Sequence, residues 1–428
     1  MSHSKFDKLF RRDDKGELFV EKINIQDIAF HYGTPTYVYS YDQLRQNCTR
    51  FIKAFSGVKS LICFAVKANG NLSILREIFK FGLGADIVSL GEFERVLRAE
   101  CSPNKIVFSG VGKKREEIEI ALRKKVMLFN IESLFELEIL SEISKTLRIK
   151  ANVSFRVNPN IDAKTHVKIS TGLSENKFGL SEENIPDLIL RMRSEPYLDL
   201  VGLSCHIGSQ ITFLDPLRDT ARRMAEICKS VKATGCDLKY IDLGGGLGIP
   251  YQNEVVPEIE AYAQCLIEET DHLGLQLIIE PGRSLIGDTG FLLTRVLGTK
   301  QNSKRSFVIL DAAMNDLMRP VLYDSYHPII PVKIQAKGAE KTLCQFVGPI
   351  CETGDIMGSN REVELPTAGD LFLIGYTGAY GSSMSSQYNS RPRAAELLID
   401  GDRVHVVRRR ETLGDLWALE EPLSVISE

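Results

Sequence analysis

The chain has 428 residues, more than one ordinary hydrophobic core accommodates, so we expect two domains. Its composition, 43% apolar and 25% charged with a net charge of -3, is typical of a globular protein and gives no sign of one that binds nucleic acid or a membrane surface. No apolar run approaches the ~20 residues of a membrane span, and the first residues lack the apolar stretch of a secretory signal. Nine cysteines without a C-x-x-C pair argue against a disulfide scaffold or a structural metal site, so we expect a reducing cytoplasm and no bound metal.

Strand-like and helical segments alternate between residues 61 and 279. Segments with helical periodicity, such as Leu72–Phe81 and Leu134–Leu140, separate most of eight short apolar or β-branched runs. This alternation predicts parallel βαβ units, and eight such units predict an α/β fold of the (β/α)8 TIM-barrel type, with a doubly wound open sheet as the alternative. The eight runs are Leu61–Val66, Ala85–Val88, Lys105–Phe108, Val126–Phe129, Ala151–Phe155, Leu200–Cys205, Tyr240–Leu243 and Leu275–Ile279.

The pattern changes after about residue 291, where five strand-like runs follow one another without long helices. Asp400-Gly401, between the last two runs, is a hairpin-turn signal. We therefore predict a barrel over residues 36–290, a mainly antiparallel C-terminal β domain over 291–428, and an N-terminal segment, 1–35, that joins the β domain. The five runs are Phe307–Leu310, Leu343–Phe346, Leu371–Ile374, Glu396–Ile399 and Val404–Val407.

Polar residues and glycines follow the predicted barrel strands, at the end where such barrels carry their active sites. Lys67 ends the first run; burial there would remove hydration from the amine and make it a nucleophile suited to a Schiff base, although a lone strand-end lysine is more often a snorkelling side chain. The glycines of 244–246 follow the seventh run and would let backbone N–H groups approach a phosphate. Pyridoxal phosphate requires such a lysine, a phosphate cradle and an acid at its pyridine nitrogen, for which Glu280 is the candidate.

The same segments occur as motifs: FAVKAN at 64–69, CHIGSQ at 205–210, DLGGGLGI at 242–249 and EPGR at 280–283. They resemble the alanine-racemase-like, fold-type III pyridoxal-phosphate enzymes, among which the basic amino acid decarboxylases are the most similar branch. Four further segments resemble the diaminopimelate decarboxylase family within that branch, and the resemblance extends from about residue 17 to about residue 410. These segments are NPNIDAKTHVKISTGLSENKFGL (158–180), DAAMNDLMRPVLYDSYH (311–327), VGPICETGD (347–355) and GAYGSSMSSQYNSRPRAAE (378–396).

The resemblance implies a role for each matching residue. Lys67 matches the Schiff-base lysine, Glu280 the partner of the pyridine nitrogen, and Cys351 a catalytic cysteine that can donate a proton. It also implies a homodimer with shared active sites, in which Cys351 and Glu352 come from the partner subunit. The remaining cofactor-binding residues implied are His206, which stacks on the ring, Ser209, Gly244, Gly245, Gly246, Pro281, Gly282, Arg283 and Tyr380.

The implied reaction is the decarboxylation of meso-diaminopimelate to L-lysine and carbon dioxide, a step of lysine biosynthesis. The far end of this substrate carries an ammonium group, for which Glu352 is the acceptor, and a carboxylate, for which Arg283, Arg319, Tyr323 and Tyr380 line the implied site. The main alternative is an ornithine- or arginine-type decarboxylase of the same family, against which Arg319 argues because those substrates lack the distal carboxylate. An amino acid racemase, a pyridoxal-phosphate carrier protein and a barrel aldolase are further alternatives.

Overall fold

The computed structural model describes residues 9–163, 171, 177–333, 340–421 and 423, so part of the motif at 158–180 lies outside the described residues. The chain divides into two compact units. One, the barrel unit, comprises residues 44–250 and 254–286; the other, the β unit, comprises 1–43, 251–253 and 287–428. None of the described helices has the length and apolar character needed to cross a bilayer.

The first elements of the chain belong mainly to the β unit. A small antiparallel sheet of three strands precedes a helix capped by Asn24, whose side chain accepts the Gln26 N–H. In order, the elements are β1 (Phe10–Arg12), β2 (Leu18–Val20), β3 (Ile23–Asn24), α1 (Ile25–Tyr32), β4 (Thr36–Ser40) and α2 (Tyr41–Ala54), the last of which runs into the barrel unit.

The barrel unit alternates strands with helices, as the sequence predicts. Its elements are β5 (Ser60–Ala65), α3 (Leu72–Lys80), β6 (Gly84–Ile87), α4 (Leu90–Arg98), β7 (Ile106–Phe108), α5 (Arg115–Arg123), β8 (Leu128–Ile131), α6 (Leu134–Leu147), β9 (Ala151–Asn158), β10 (Leu180–Ser181), α7 (Ile185–Arg193), β11 (Leu198–Ser204), α8 (Asp215–Ala233), β12 (Tyr240–Asp242), α9 (Ile259–Thr270), β13 (Gln276–Ile279) and α10 (Arg283–Ile286). Asn71, Ser89 and Ser133 cap the N-termini of α3, α4 and α6 with their side chains, which turns the chain from strand into helix.

Eight parallel strands close this sheet in the order β5-β6-β7-β8-β9-β11-β12-β13, and β13 returns to β5. Each of the eight predicted runs contributes one of these strands, so the TIM-barrel prediction is confirmed and the open-sheet alternative is wrong. All eight strands point the same way, so their carboxyl ends meet at one rim of the barrel. The candidate residues that follow these strands are therefore brought together by the fold.

The β unit continues with strands that pair mostly antiparallel, which confirms the predicted second domain. Its elements are β14 (Gly290–Gln301), β15 (Ser306–Leu310), α11 (Arg319–Tyr323), β16 (Ile329–Pro331), β17 (Lys341–Val347), β18 (Ile356–Glu364), β19 (Leu371–Ile374), β20 (Ala395–Asp400), β21 (Arg403–Arg408) and α12 (Leu413–Leu416). The main sheet has the order β18-β17-β15-β14-β4-β20-β21, with β19 also paired to β14. Only β15–β17 and β4–β20 are parallel pairs among its described neighbours.

The position of β4 differs from the predicted domain boundary. We placed the start of the barrel at residue 36, but Thr36–Ser40 lies in the sheet of the β unit. Its backbone pairs antiparallel with β14 and parallel with β20, and all five of its residues are buried. Its backbone hydrogen-bond partners all lie beyond residue 289. The strand therefore joins the unit with which it forms hydrogen bonds, and not the unit that follows it in the sequence.

Candidate active site

Lys67 follows β5 at the carboxyl rim of the barrel, in a single 3-10 turn, Val66–Ala68. Its Nζ lies 2.6 Å from Oδ2 of Asp86, which belongs to the neighbouring strand β6. The Lys67 side chain is 39% exposed, whereas the Asp86 side chain is fully buried. The loss of hydration that we expected for Lys67 is therefore not seen in this chain; an ion pair with a buried carboxylate positions the amine instead.

Glu280 follows β13 and is buried at the same rim. Its backbone N–H donates to the Gly244 carbonyl at 2.7 Å, and its carboxyl group shares a hydrogen bond with that of Asp242 at the end of β12. The other carboxyl oxygen, Oε1, has no hydrogen-bond partner among the described residues. Burial, and next the charge of Asp242, raise the pKa of Glu280 well above its ordinary value. The site therefore holds a buried acid with one oxygen available to a ligand.

The glycine segment after β12 packs where no side chain fits. A Cβ on Gly244 would meet the Cys205 carbonyl at 2.6 Å, and a Cβ on Gly245 would meet the Glu280 carbonyl at 2.2 Å. The Gly244 N–H donates to Asp242 and the Gly245 N–H to Nδ1 of His206, at 2.9 and 3.2 Å. The N–H groups of Gly244 and Gly245, which we predicted to bind phosphate, thus donate to protein atoms instead. Of the three glycines, Gly246, with φ +112°, is left as the candidate phosphate donor.

His206 follows β11 and is a neutral imidazole. Burial, and next the positive charges of Arg156 and Lys67, lower its pKa well below the ordinary value. Since Nδ1 accepts the Gly245 N–H, the ring proton lies on Nε2. A neutral, flat ring held by the glycine segment can stack on an aromatic cofactor, as we predicted for this residue.

Ser209 and Arg283 meet at the same rim. Nη2 of the buried Arg283 donates to the Ser209 hydroxyl at 3.0 Å, which joins the segment after β11 to the first turn of α10. Pro281 lies between Glu280 and this helix, and its carbonyl accepts the Ala65 N–H at 3.1 Å from the end of β5. A guanidinium and a hydroxyl placed side by side can both donate to a phosphate or a carboxylate.

Arg319 occupies the β unit, at the start of α11, and is buried. Its Nε donates to Nε2 of His327 at 3.3 Å and its Nη2 to the Ser325 hydroxyl at 3.1 Å. Its guanidinium carbon lies 5.3 Å from the centre of the Tyr251 ring and 5.8 Å from that of Tyr323. The structure therefore brings together two of the residues predicted to bind substrate, Arg319 and Tyr323.

His327 fixes the direction of the Arg319 guanidinium. Its Nδ1 lies 2.8 Å from the Gly375 carbonyl and must donate to it, so Nε2 carries the lone pair that accepts from Arg319. The ring is fully buried and packs edge-on against Tyr251, at 5.1 Å between centroids. Sequence reasoning missed His327, although it lies within the quoted segment at 311–327.

Cys351 and Glu352 lie on an exposed turn of the β unit. The Cys351 N–H donates to Asn389 at 3.0 Å, and the Glu352 carboxylate accepts the Tyr388 hydroxyl at 3.0 Å. The buried Asp355 anchors the turn by accepting the Ile350 N–H at 2.8 Å. The two side chains that we expected to serve a partner subunit are thus presented at the surface on a fixed backbone.

Tyr380 lies in the β unit at a backbone position unusual for a tyrosine. Its φ is +55°, and Tyr376, four residues earlier, has φ +56°. Left-handed conformations at bulky residues cost roughly 1–3 kcal/mol and cluster at functional sites. Next to it, a Cβ on Gly381 would lie 2.5 Å from the Thr377 carbonyl, so the segment admits no side chain at that position.

Residues 41–287 match the family model described as the pyridoxal binding domain of pyridoxal-dependent decarboxylase. The chain belongs to the pyridoxal-dependent decarboxylases. It is 44% identical over 415 residues to diaminopimelate decarboxylase of Vibrio cholerae, covering 97% of this chain and 99% of the relative. It is 47% identical over 403 residues to the Neisseria meningitidis serogroup A protein of the same name, covering 94% and 98%.

Solved structures give the same result. Diaminopimelate decarboxylase from Helicobacter pylori, complexed with L-lysine, superposes with a TM-score of 0.89 at 44% identity and covers 93% of this chain and 99% of that one. The protein of that name from M. jannaschii, also with L-lysine, gives a TM-score of 0.92 at 37% identity and covers 98% and 99%. Within the pyridoxal-dependent decarboxylases, the chain therefore belongs to the diaminopimelate decarboxylase family.

The cofactor of this family is pyridoxal phosphate, and the barrel rim of this decarboxylase fits it. Glu280 has a buried oxygen without a partner among the described residues, which suits a protonated ring nitrogen. The Gly244–Gly246 segment packs so closely against the protein that a Cβ at any of the three positions would clash, and His206 offers a neutral ring face. Arg283 and Ser209 supply polar hydrogens near the glycines.

Two carboxyl groups at the barrel rim of this decarboxylase were not predicted from the sequence to be site residues. Asp86 pairs with Lys67, and Asp242 pairs with Glu280. Asp86 lies within the second predicted run, Ala85–Val88, and Asp242 is the first residue of DLGGGLGI, but neither was given a role. The available signal was the position of each acid within two residues of a strand end, beside a strand that carries a candidate residue.

Proposed function

We propose that this decarboxylase converts meso-diaminopimelate to L-lysine and carbon dioxide. One observation carries the substrate assignment: over 93–97% of its length the chain is 44–47% identical to proteins named diaminopimelate decarboxylase. The buried Arg319 supports it, since a desolvated guanidinium favours an anionic ligand such as the distal carboxylate of a diamino diacid. Ornithine and arginine lack the distal carboxylate that such a guanidinium binds.

Each residue of the barrel rim then has a task. Bound pyridoxal phosphate supplies the electron-withdrawing ring that stabilises the charge left on the α-carbon when carbon dioxide departs. Lys67 would provide the amine that attaches the cofactor, and Asp86 holds that amine in place. Glu280 would accept a hydrogen bond from the ring nitrogen, and neutral His206 would pack on the ring face. Gly246 would bind the cofactor phosphate, and Arg283 and Ser209 would donate hydrogen bonds to the phosphate or to a substrate carboxylate.

The β unit supplies the substrate and proton groups. Arg319 binds the distal carboxylate in the orientation that His327 and Ser325 give it, and Tyr323 and Tyr380 line the same substrate. Glu352 accepts the distal ammonium. Cys351 acts as the general acid that donates the proton replacing carbon dioxide on the α-carbon.

The purified protein with pyridoxal phosphate tests this proposal directly. Incubated with meso-diaminopimelate, L-ornithine, L-arginine or L-lysine, it should release carbon dioxide from the first alone and form L-lysine, and borohydride should fix the cofactor to Lys67. Arg319→Ala should lower kcat/KM for diaminopimelate by about 10- to 150-fold, the loss of one hydrogen bond to a charged group. The exposed Arg403→Ala is the matched control. Preferential turnover of ornithine or arginine would overturn the assignment.

We further propose that the enzyme is a cytoplasmic homodimer in which each site takes Lys67 from one subunit and Cys351 from the other. The surface position of Cys351 and Glu352 in the single chain supports this, and nine free cysteines suit a reducing compartment.

The shared site predicts complementation. A Lys67→Ala subunit paired with a Cys351→Ala subunit has one intact site, so random reassortment should restore about a quarter of wild-type sites. Each parent variant alone should stay nearly inactive. Purified hybrids with no activity above that of the parents would mean that the site is built within one chain.

A further inference from the structure

Asp242 and Glu280 form a pair of carboxyl groups at the ends of neighbouring strands, β12 and β13. The strand register places Asp242 opposite Ile278, two residues before Glu280. Hydrogen bonds then lock the two ends together, because Gly244 donates to Asp242 at 2.9 Å and accepts from the Glu280 N–H at 2.7 Å. The side chains hydrogen-bond to each other, and both residues are buried.

A hydrogen bond between two carboxyl groups requires a proton on one of them. Burial raises the pKa of Asp242 to about 6, and raises that of Glu280 further, with the Asp242 charge as the next cause. Two carboxylates in contact in a desolvated site do not both ionise, so the pair holds one proton and titrates as a unit. Asp86 favours the proton on Glu280 and Lys67 opposes it. The titratable groups influenced by this pair also include Cys63, Cys205 and Tyr262.

The two members of the pair have different surroundings. Both oxygens of Asp242 accept from the protein: Oδ1 from the Gly244 N–H, and Oδ2 from the Asn130 side chain at 3.2 Å. Asn130 is itself held by Ser109, at 3.0 Å. Glu280 instead has Oε1 without a hydrogen-bond partner among the described residues. Asp242 is therefore the supported member, and Glu280 is the one that can accept from a ligand.

We propose that Asp242 is a positioning residue that takes over the shared proton when the cofactor binds, so that Glu280 is ionised and presents Oε1 to the ring nitrogen. The O–H bond of Glu280 breaks and an O–H bond of Asp242 forms along their existing hydrogen bond. The pair keeps one proton throughout, and the proton of the ring nitrogen comes from the cofactor or solvent. The inference rests on pyridoxal phosphate as the cofactor of the proposed function.

Two substitutions separate this role from a merely structural one. Asp242→Asn places an amide N–H where the acid O–H would be, and Asn130 can turn its amide to accept, since its Oδ1 lacks a partner among the described residues. Asp242→Ala removes the donor altogether. We expect the alanine variant to weaken pyridoxal phosphate binding by about 10- to 150-fold, as for a lost hydrogen bond to a charged group, and the asparagine variant to stay within about fivefold.

The experiment measures two properties of purified full-length protein: the Kd for pyridoxal phosphate from its absorbance, and the infrared difference spectrum of loaded minus cofactor-free protein. The loaded wild type should contain a carboxylic acid carbonyl band that loaded Asp242→Asn lacks. Asp199→Asn, at the opposite end of the adjacent strand β11 and exposed beside Lys150, is the matched control and should change neither measurement.

Two results would overturn the inference: Asp242→Asn losing the cofactor as severely as Asp242→Ala, or the loaded asparagine variant retaining the same band. The asparagine variant keeps the size and most hydrogen bonds of the residue, so it tests the proposal even if the alanine variant does not fold. A wild type that fails to bind pyridoxal phosphate would instead refute the proposed function, which the labelling of Lys67 detects independently.

Discussion

The substitution Gly245→Ala adds one methyl group, and we expect it to disrupt the cofactor site more directly than any other change of this size. The Cβ added at this position would lie 2.2 Å from the Glu280 carbonyl oxygen and 3.1 Å from its carbonyl carbon. Both are backbone atoms, so no side-chain rotation relieves the overlap. The glycine segment and the end of β13 would have to move apart, and Glu280 is the residue that β13 delivers to the site.

The size of the effect follows from the displacement. The contact of 2.2 Å is 1.2 Å shorter than the 3.4 Å at which ordinary contact begins, so the Glu280 backbone must shift by most of that distance. A misplacement of about 1 Å costs on the order of 100-fold in a catalytic arrangement. The shift also strains the Gly245 N–H bond to His206, at 3.2 Å. We therefore expect both cofactor affinity and kcat/KM to fall by about 100-fold.

The assay compares Gly245→Ala with Gly112→Ala. Gly112 follows β7 at the same barrel rim, but an added Cβ there would meet no atom within 4 Å. Cofactor titration, turnover of meso-diaminopimelate and melting temperature are measured for both variants. If Gly245→Ala binds pyridoxal phosphate and turns over within threefold of the wild type, the glycine segment does not set the position of Glu280 and the reasoning fails.

Two further predictions concern stability. Glu136→Leu removes the buried partner of the buried Lys113 ammonium and should destabilise the protein by about 3–5 kcal/mol, seen as a lower melting temperature, whereas adding Lys113→Met should recover much of the loss; no recovery would contradict the pairing. Burial raises the pKa of Asp316 to about 7 from 3.8, so its contribution to stability is full below about pH 4 and is lost as the pH rises to about 7. The free energy of unfolding of the wild type should therefore fall by about 4 kcal/mol over this range relative to that of Asp316→Asn. If the melting temperatures of the two proteins change with pH in the same way from pH 4 to 8, this prediction is wrong.

The sequence predicted the barrel well because each strand is short, apolar and bounded by a turn or a helix cap. The same logic made Lys67 and Glu280 candidates, because each lies within two residues of the end of its strand. It failed for the surroundings of Lys67, where we expected desolvation and the structure instead shows an ion pair with Asp86. Partners across strands depend on register, which periodicity along one strand does not contain. β4 was assigned to the wrong side of a boundary for the same reason, since its partners β14 and β20 lie about 250 and 360 residues later.

The acidic residues of the barrel rim lower the stability of the fold, and this cost indicates that they serve a function. A rim that served packing alone would hold apolar side chains, yet Asp86, Asp242 and Glu280 place three acids within reach of one another, as their mutual influence shows. Lys67 offsets only part of this repulsion, and burial favours the neutral forms of Asp242 and Glu280. A protonated ring nitrogen beside Glu280 adds positive charge where the protein has a surplus of negative groups. Under the proposed function these acids bind the cofactor, so cofactor binding should stabilise the barrel.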